Sequence, residues 1–196
     1  ADMLDQAESG AKLTKKQKES HEKTKLRDIA LLTLLLGTGI RVSECVGLNV
    51  NDVDFDNGCM KIMRKGHKED IVYFGDEVEA ALLEYIEHRT EIFKPVEEDA
   101  DALFISSKNR RISVRAVELL VKKYAMLTTT VKHITPHKLR STYGTQLYKE
   151  TGDIYLVADV LGHKDVNTTK KHYAAIDDER RLKIRNAVQL REKDER

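Results

Sequence analysis

The chain has 196 residues, enough for one domain with a sizeable core and room for a small appendage. Charged residues make up 34% of it, and the longest apolar run, Ile29 to Leu36 with Thr33 inside, falls far short of the ~20 residues a bilayer span needs. With 34 Lys and Arg against 33 Asp and Glu the net charge is +1, so bulk electrostatics does not by itself point to a polyanionic partner.

No secretory signal is expected, because the first residues given are polar and acidic. Cys45 and Cys59 have no metal-ligand spacing, lie among apolar neighbours and read as buried free thiols in a reducing compartment. Cytoplasmic location is expected. Charge is distributed unevenly: Glu69 to Asp101 holds twelve acids and two Lys or Arg, whereas Lys108 to Arg140 holds nine Lys or Arg and one acid. Such asymmetry suits either a molecule with one face toward a polyanion or two solvated helix faces mixed by folding.

Residues 1–25 are polar and read as a solvated helix or linker rather than core, as expected of a fragment whose boundary falls in a linker. Leu26 to Leu36 is apolar nearly all round, which predicts a helix buried on every side. Gly37-Thr38-Gly39 breaks it, and Ile40 to Leu48 begins a second helix with Arg41 in its first turn. An arginine beside so apolar a stretch must be paired or face a polar cleft, and Glu44 is the partner three residues on.

From Asn51 the period changes. Val53 and Phe55 alternate with Asp, Asp56-Asn57-Gly58 is a turn, Cys59 to Met63 and Ile71 to Phe74 are strands, and Lys65 and Lys68 stand at the tip between them. Asp76 is the expected cap of a helix with Val78, Ala81, Leu82 and Tyr85 on its inner face. An acidic loop from Lys94 to Asp101 and a short apolar run, Leu103-Phe104-Ile105, lead to a helix capped by Ser113. That helix is expected to turn Val114, Val117, Val121 and Tyr124 inward and Arg115, Lys122 and Lys123 outward, the last three as candidates for phosphate contacts.

Pro136 suits the first position of a helix, which places His137 and Arg140 near its N-terminus, three apart, with Lys138 between them. Gly152 closes that helix, Asp153 caps the next, and Gly162 ends it just before His163. Asn167 or Thr168 caps a helix carrying Tyr173, and residues 177–196 form a charged, weakly amphipathic helical tail. The expected organisation is therefore an N-terminal segment (1–25), a main domain (26–176) and the tail (177–196), mainly α with a small three-stranded antiparallel β-sheet.

The chemistry follows from the inventory of two Arg, two His, a hairpin Lys and a Tyr, without clustered carboxylates or a Cys nucleophile. His133 and His137 are separated by Pro136 and share no regular helical face, and there is no HExxH, so no metal site is expected. P-loop, dinucleotide and nucleophile-elbow motifs are absent, and no cofactor is expected. Planar guanidinium groups suit non-bridging phosphate oxygens and stabilise the charge that builds on them during transesterification. A tyrosine, with a phenol pKa of ~10, becomes a nucleophile once its proton is drawn off, and a lysine on a hairpin can protonate the leaving oxygen. Each residue alone also has an ordinary account: an Arg41–Glu44 structural pair, His137 as a helix cap, His163 in a turn, Tyr173 in a core.

Taken together, Gly37-Thr38-Gly39-Ile40-Arg41, His137-Lys138-Leu139-Arg140, Leu161-Gly162-His163 and Tyr173 after Thr168-Thr169 resemble the catalytic domain of the tyrosine recombinase (phage integrase) family, in order, from about Leu26 to Tyr173. The resemblance implies that Arg41 and Arg140 bind the scissile phosphate of duplex DNA, Lys65 is the general acid, His137 and His163 assist, and Tyr173 is the nucleophile. It further implies a 3′-phosphotyrosine, a homo-tetramer on DNA exchanging strands through a Holliday junction, a monomer or weak oligomer alone, and integration or excision of a mobile element. The tail resembles the family's segment that docks on a neighbouring subunit; a helix on its own domain is the alternative. Tyr173 stands ten residues after His163, where the common pattern has nine and this chain has His172. One residue more turns a helix by about 100°. Two other readings fit the same residues, a type IB topoisomerase-like enzyme and an inactive DNA-binding module.

Overall fold

The apolar stretch at Leu26 to Leu36 forms the middle of a single long helix in the computed structural model, which describes residues 2–129, 134–163 and 165–167. This helix, α2 (Lys15–Thr38), begins much earlier than its apolar part. Its start is a capping box: the Thr14 hydroxyl accepts from the Gln17 amide at 3.4 Å, and the Gln17 side chain accepts from the Thr14 amide at 2.9 Å. Ala30, Leu31, Leu32, Leu34 and Leu35 are all buried, as a helix apolar all round requires.

The polar start is not bare linker. A short helix, α1 (Asp2–Ser9), buries Ala7 completely, Leu13 and His21 are buried after it, and Lys12 donates to the Leu127 carbonyl at 2.7 Å. Polar composition concealed this because the buried groups are few and are fixed by partners far along the chain. Tyr124 donates to Asp28 at 2.9 Å and meets His21 Nδ1 at 3.1 Å. Burial, aided by Asp28, pushes the Tyr124 phenol up, and burial pulls the His21 imidazole down.

Two more helices, α3 (Val42–Gly47) and α4 (Asp76–Ile92), flank a sheet of strands β1 (Val53–Asp54), β2 (Cys59–Arg64) and β3 (Lys68–Tyr73), antiparallel in the order β1-β2-β3. Register pairs Val53 with Met60, Met60 with Val72 and Arg64 with Lys68. Met60, Ile62 and Val72 face the core, while Met63, Ile71 and Tyr73 stay exposed on the opposite face. Gly75, rather than Asp76, is the N-cap of α4, and Asp76 joins Glu77 and Glu79 in the acidic first turn. Helix α5 (Val114–Thr128) starts at the expected cap, where Ser113 accepts from the Ala116 amide at 3.2 Å. Cys45 is fully buried and burial pushes its thiol up to about 12, whereas Cys59 is half-buried.

Arg89 is a buried cation whose partners are carbonyls. It donates from Nε to Leu103 at 3.2 Å and from Nη2 to Ala100 at 2.7 Å and Ala102 at 2.5 Å. It thereby satisfies backbone carbonyls of the loop that leads into the buried Leu103-Phe104-Ile105 segment. Arg89→Met leaves those carbonyls without a donor and is expected to cost about 2–4 kcal/mol. Urea denaturation reads this directly, and an unchanged midpoint would mean that water replaces the guanidinium at no cost.

The chain divides into two compact units, residues 1–143 and 144–196. Helix α6 (Pro136–Thr151) starts in the first and ends in the second. In the second unit, α7 (Ile154–Val160) is capped by Asp153, which accepts from the Tyr155 amide at 2.8 Å and the Leu156 amide at 3.1 Å. No helix among the described residues is long and apolar enough to cross a membrane.

Candidate active site

Helix α2 ends at Gly39, whose φ of +63° is left-handed and whose N–H donates to the Leu35 carbonyl at 3.2 Å. This stop turns the chain so that Arg41 arrives as the N-cap of α3, one position earlier than an in-helix reading. Glu44 holds it from two sides. Oε2 accepts from the Arg41 amide at 2.7 Å and Oε1 from Arg41 Nη1 at 2.8 Å, so one carboxylate takes both the backbone and the side chain of the N-cap residue. The Arg41 side chain remains 36% exposed while that of Glu44 is 2% exposed, so the guanidinium lies at the surface and the carboxylate beneath it.

Arg140 reaches the same turn from α6. It is 5% exposed, and its Nη1 donates to the carbonyl of Gly39. One turn further along α6, the Tyr143 ring lies where a Cβ on Gly39 would stand, 2.4 Å from Cδ1. Gly39 therefore serves twice, presenting its carbonyl to Arg140 and its bare α-carbon to Tyr143. His137 is exposed on the first turn of α6 and does not cap it; the Thr135 hydroxyl does, accepting from the Lys138 amide at 3.3 Å. Lys138 is exposed beside it.

Lys65 is exposed in the three-residue turn Lys65-Gly66-His67 between β2 and β3, with His67 at a left-handed φ of 55°; Lys68 is exposed at the start of β3. Arg64, just before Lys65, was not anticipated. Its Nε donates to Asp70 Oδ2 at 2.7 Å and its Nη1 lies 3.5 Å from Glu44 Oε1. The signal was present in the alternation: Met60 and Ile62 point to the core, and Arg64 is next in that series, as Asp70 is beside Val72.

Among the cations of α5, Arg115 is exposed and pairs with Glu118 at 3.2 Å, and Lys122 is exposed. Lys123 corrects the expectation of an outward side chain. Its Nζ lies 4.4 Å over the Tyr124 ring and 3.7 Å from buried Asp28, and burial pulls its ammonium down. Adjacent helix positions point about 100° apart, and here the second of two lysines falls on the seam toward α2.

In the second unit, Gly162 at φ +59° and His163 complete a Schellman end to α7. The His163 amide donates to the Ala158 carbonyl at 2.8 Å and the Gly162 amide to Asp159 at 2.7 Å, which sets the half-buried His163 just past the helix. Tyr173, the helix expected around it and the tail from Asp177 lie outside the described residues.

Within the first unit, then, two arginines from distant parts of the chain converge on one turn, and a lysine hairpin is tied to that turn through Glu44 and Arg64. The model of the phage integrase family matches residues 5–180, and the chain belongs to that family, the tyrosine recombinases. It is 44% identical over 147 residues to tyrosine recombinase XerD of Neisseria meningitidis serogroup B, covering 74% of this chain and 49% of that relative. Its fold is similar to the crystal structure of XerA recombinase (TM-score 0.72, 27% identity, 91% of this chain and 65% of that one). It is also similar to the Tn1549 transposon integrase solved with transposon right end DNA (TM-score 0.64, 25% identity, 90% of this chain and 66% of that one). The mainly helical architecture with its small antiparallel sheet is the tyrosine recombinase catalytic-domain fold. The chain spans about half the length of the curated relatives it matches.

Proposed function

We propose that this chain cleaves and rejoins duplex DNA as the catalytic part of a site-specific recombinase. The observation that carries the reading is the buried Arg140 anchored on the carbonyl of Gly39, two residues before Arg41. Two arginines meeting at one turn are the arrangement a phosphodiester needs, since its non-bridging oxygens gain charge in the transition state and fixed guanidinium donors meet that charge without reorganising. The Tyr173 oxygen attacks the phosphorus as its proton passes to a histidine base, His137 or His163, the bond from phosphorus to the 5′ oxygen breaks, and Lys65 protonates that oxygen. The products are a 3′-phosphotyrosine and a free 5′-hydroxyl, and rejoining is the reverse. His137 and His163 assist proton transfer and phosphate binding. The phosphotyrosine conserves the energy of the bond, so neither ATP nor a metal ion enters these steps.

Lys68, Arg115, Lys122 and Lys138 are exposed cations suited to flanking phosphates, and Lys123 drops out of that set because it is directed at Asp28. Strand exchange is assigned to a homo-tetramer on DNA, in the cytoplasm. For the biological setting, the likeness to the Tn1549 integrase supports integration and excision of a mobile element, whereas the higher identity to relatives named XerC and XerD supports a Xer-type exchange.

Nicked suicide duplexes built from sites of both kinds test the reading. A denaturing gel is expected to show a protein band shifted by the mass of one strand, retained in EDTA and lost in Tyr173→Phe. A band that survives Tyr173→Phe moves the nucleophile elsewhere. DNA binding with no band on any duplex makes the chain a binding module, and relaxation of supercoils without exchange makes it a topoisomerase-like enzyme.

A further inference from the structure

Lys65 stands at the tip of a two-stranded arm, yet a general acid must meet the leaving oxygen within hydrogen-bond reach at the moment the bond breaks. A hairpin tip has few packing partners of its own, so whatever fixes its base decides how far it wanders. Here the base is fixed by charge. Arg64, the last residue of β2, grips Asp70 of β3 at 2.7 Å across the strand pair and extends to Glu44 at 3.5 Å. Glu44 in turn holds both the amide and the guanidinium of Arg41. Asp70 is itself oriented, with Oδ1 accepting from the Ile71 amide at 3.0 Å.

We propose that Arg64 is a positioning residue: by bridging Glu44 and Asp70 it holds the lysine hairpin in register with the Arg41 turn, and so sets where Lys65 stands relative to the bound phosphate. The inference rests on the assignment of Lys65 and Arg41 given above. A planar guanidinium is the side chain for this task, because it offers donors along two edges while the compact ammonium of lysine presents a single point. The Arg64 side chain is 10% exposed and that of Glu44 2%, so the Glu44 end of the bridge lies where solvent screens it little.

Neither carboxylate is stranded when the bridge is removed. Without Arg64, Glu44 keeps the guanidinium and amide of Arg41, and Asp70, with a side chain 46% exposed, is solvated.

The test is single-turnover cleavage of two suicide duplexes that differ only at the leaving atom, one with the ordinary 5′ oxygen and one with a 5′-bridging sulfur. A thiolate leaves without a proton, so the sulfur duplex bypasses the general acid. Wild type and Lys65→Ala come first. Absence of a covalent band in wild type, or failure of sulfur to rescue Lys65→Ala, overturns the functional reading and this inference with it.

With those controls in place, Arg64→Met is expected to slow the oxygen duplex by about 10²-fold and to recover to within a few-fold of wild type on sulfur. Equal losses on the two duplexes would assign Arg64 to the fold or to Arg41 and overturn the proposal, as would no loss at all. Asp70→Asn, which leaves the buried Arg64–Glu44 pair intact, gives an independent reading should Arg64→Met fold poorly. It is expected to show a smaller loss with the same rescue by sulfur, and an oxygen-to-sulfur ratio equal to wild type would count against the bridge.

Discussion

Arg140→Lys is expected to lower the rate of strand cleavage by about 10²–10³-fold with DNA binding little changed, the size of effect seen when one preorganised donor to a developing oxyanion is removed. Charge is conserved in this substitution, so the loss must come from geometry. The arginine is buried, with Nη1 committed to the carbonyl of Gly39, and the planar group fixes its remaining edge relative to that anchor. Lysine has one nitrogen, which can hold the Gly39 carbonyl or reach a phosphate. Single-turnover cleavage beside a DNA-binding isotherm separates the two effects. A rate within a few-fold of wild type would show that Arg140 contributes charge alone, and a matching loss in binding would place its contribution in the ground state.

Gly39→Ala is expected to destabilise the first unit by about 2–4 kcal/mol, from about 1–2 kcal/mol for a left-handed alanine and a further 1–3 kcal/mol for overpacking, partly offset by the reduced entropy of the unfolded chain. The residue has φ +63°, and its added methyl would lie 2.4 Å from Cδ1 of the Tyr143 ring. That ring belongs to the helix that carries Arg140, so relief by moving α6 displaces the arginine from its carbonyl. Cleavage should therefore fall along with the urea midpoint. Against a Tyr143→Ala background the clash is gone, and there Gly39→Ala should cost only the backbone share of about 1–2 kcal/mol. If Gly39→Ala costs as much in that background as in wild type, the close approach of Tyr143 is not the source of the cost.

Much of the architecture could be read from local pattern. The apolar circumference of Leu26 to Leu36, the alternation of Met60 and Ile62 with Lys61 and Met63, and the capping chemistry of Ser113, Pro136, Asp153 and Gly162 each express a rule that acts within a few residues. Family membership came from the same short-range order, because Arg41, His137, Arg140 and His163 each sit beside a turn or helix start that announces itself in sequence. Element ends were less legible. The long α2 begins at Thr14 through a capping box that its polar composition obscured, and α4 begins from Gly75 rather than from the acidic residue after it.

Local pattern specifies the kind and order of the elements and the chemical types available at their ends. Which of those groups meet is settled by packing between distant segments. Lys122 and Lys123 are indistinguishable as neighbours in a list, but one is exposed and the other is directed at Asp28, a residue of α2. Glu44 was legible as the partner of Arg41, yet its second guanidinium comes from the end of β2, and Gly39 is shared by a carbonyl contact and a ring supplied by α6. The difference is one of range. Backbone propensity, capping and periodicity are settled by neighbours within a turn, whereas the pairing of buried charges is settled by desolvation, which depends on every element that closes over them.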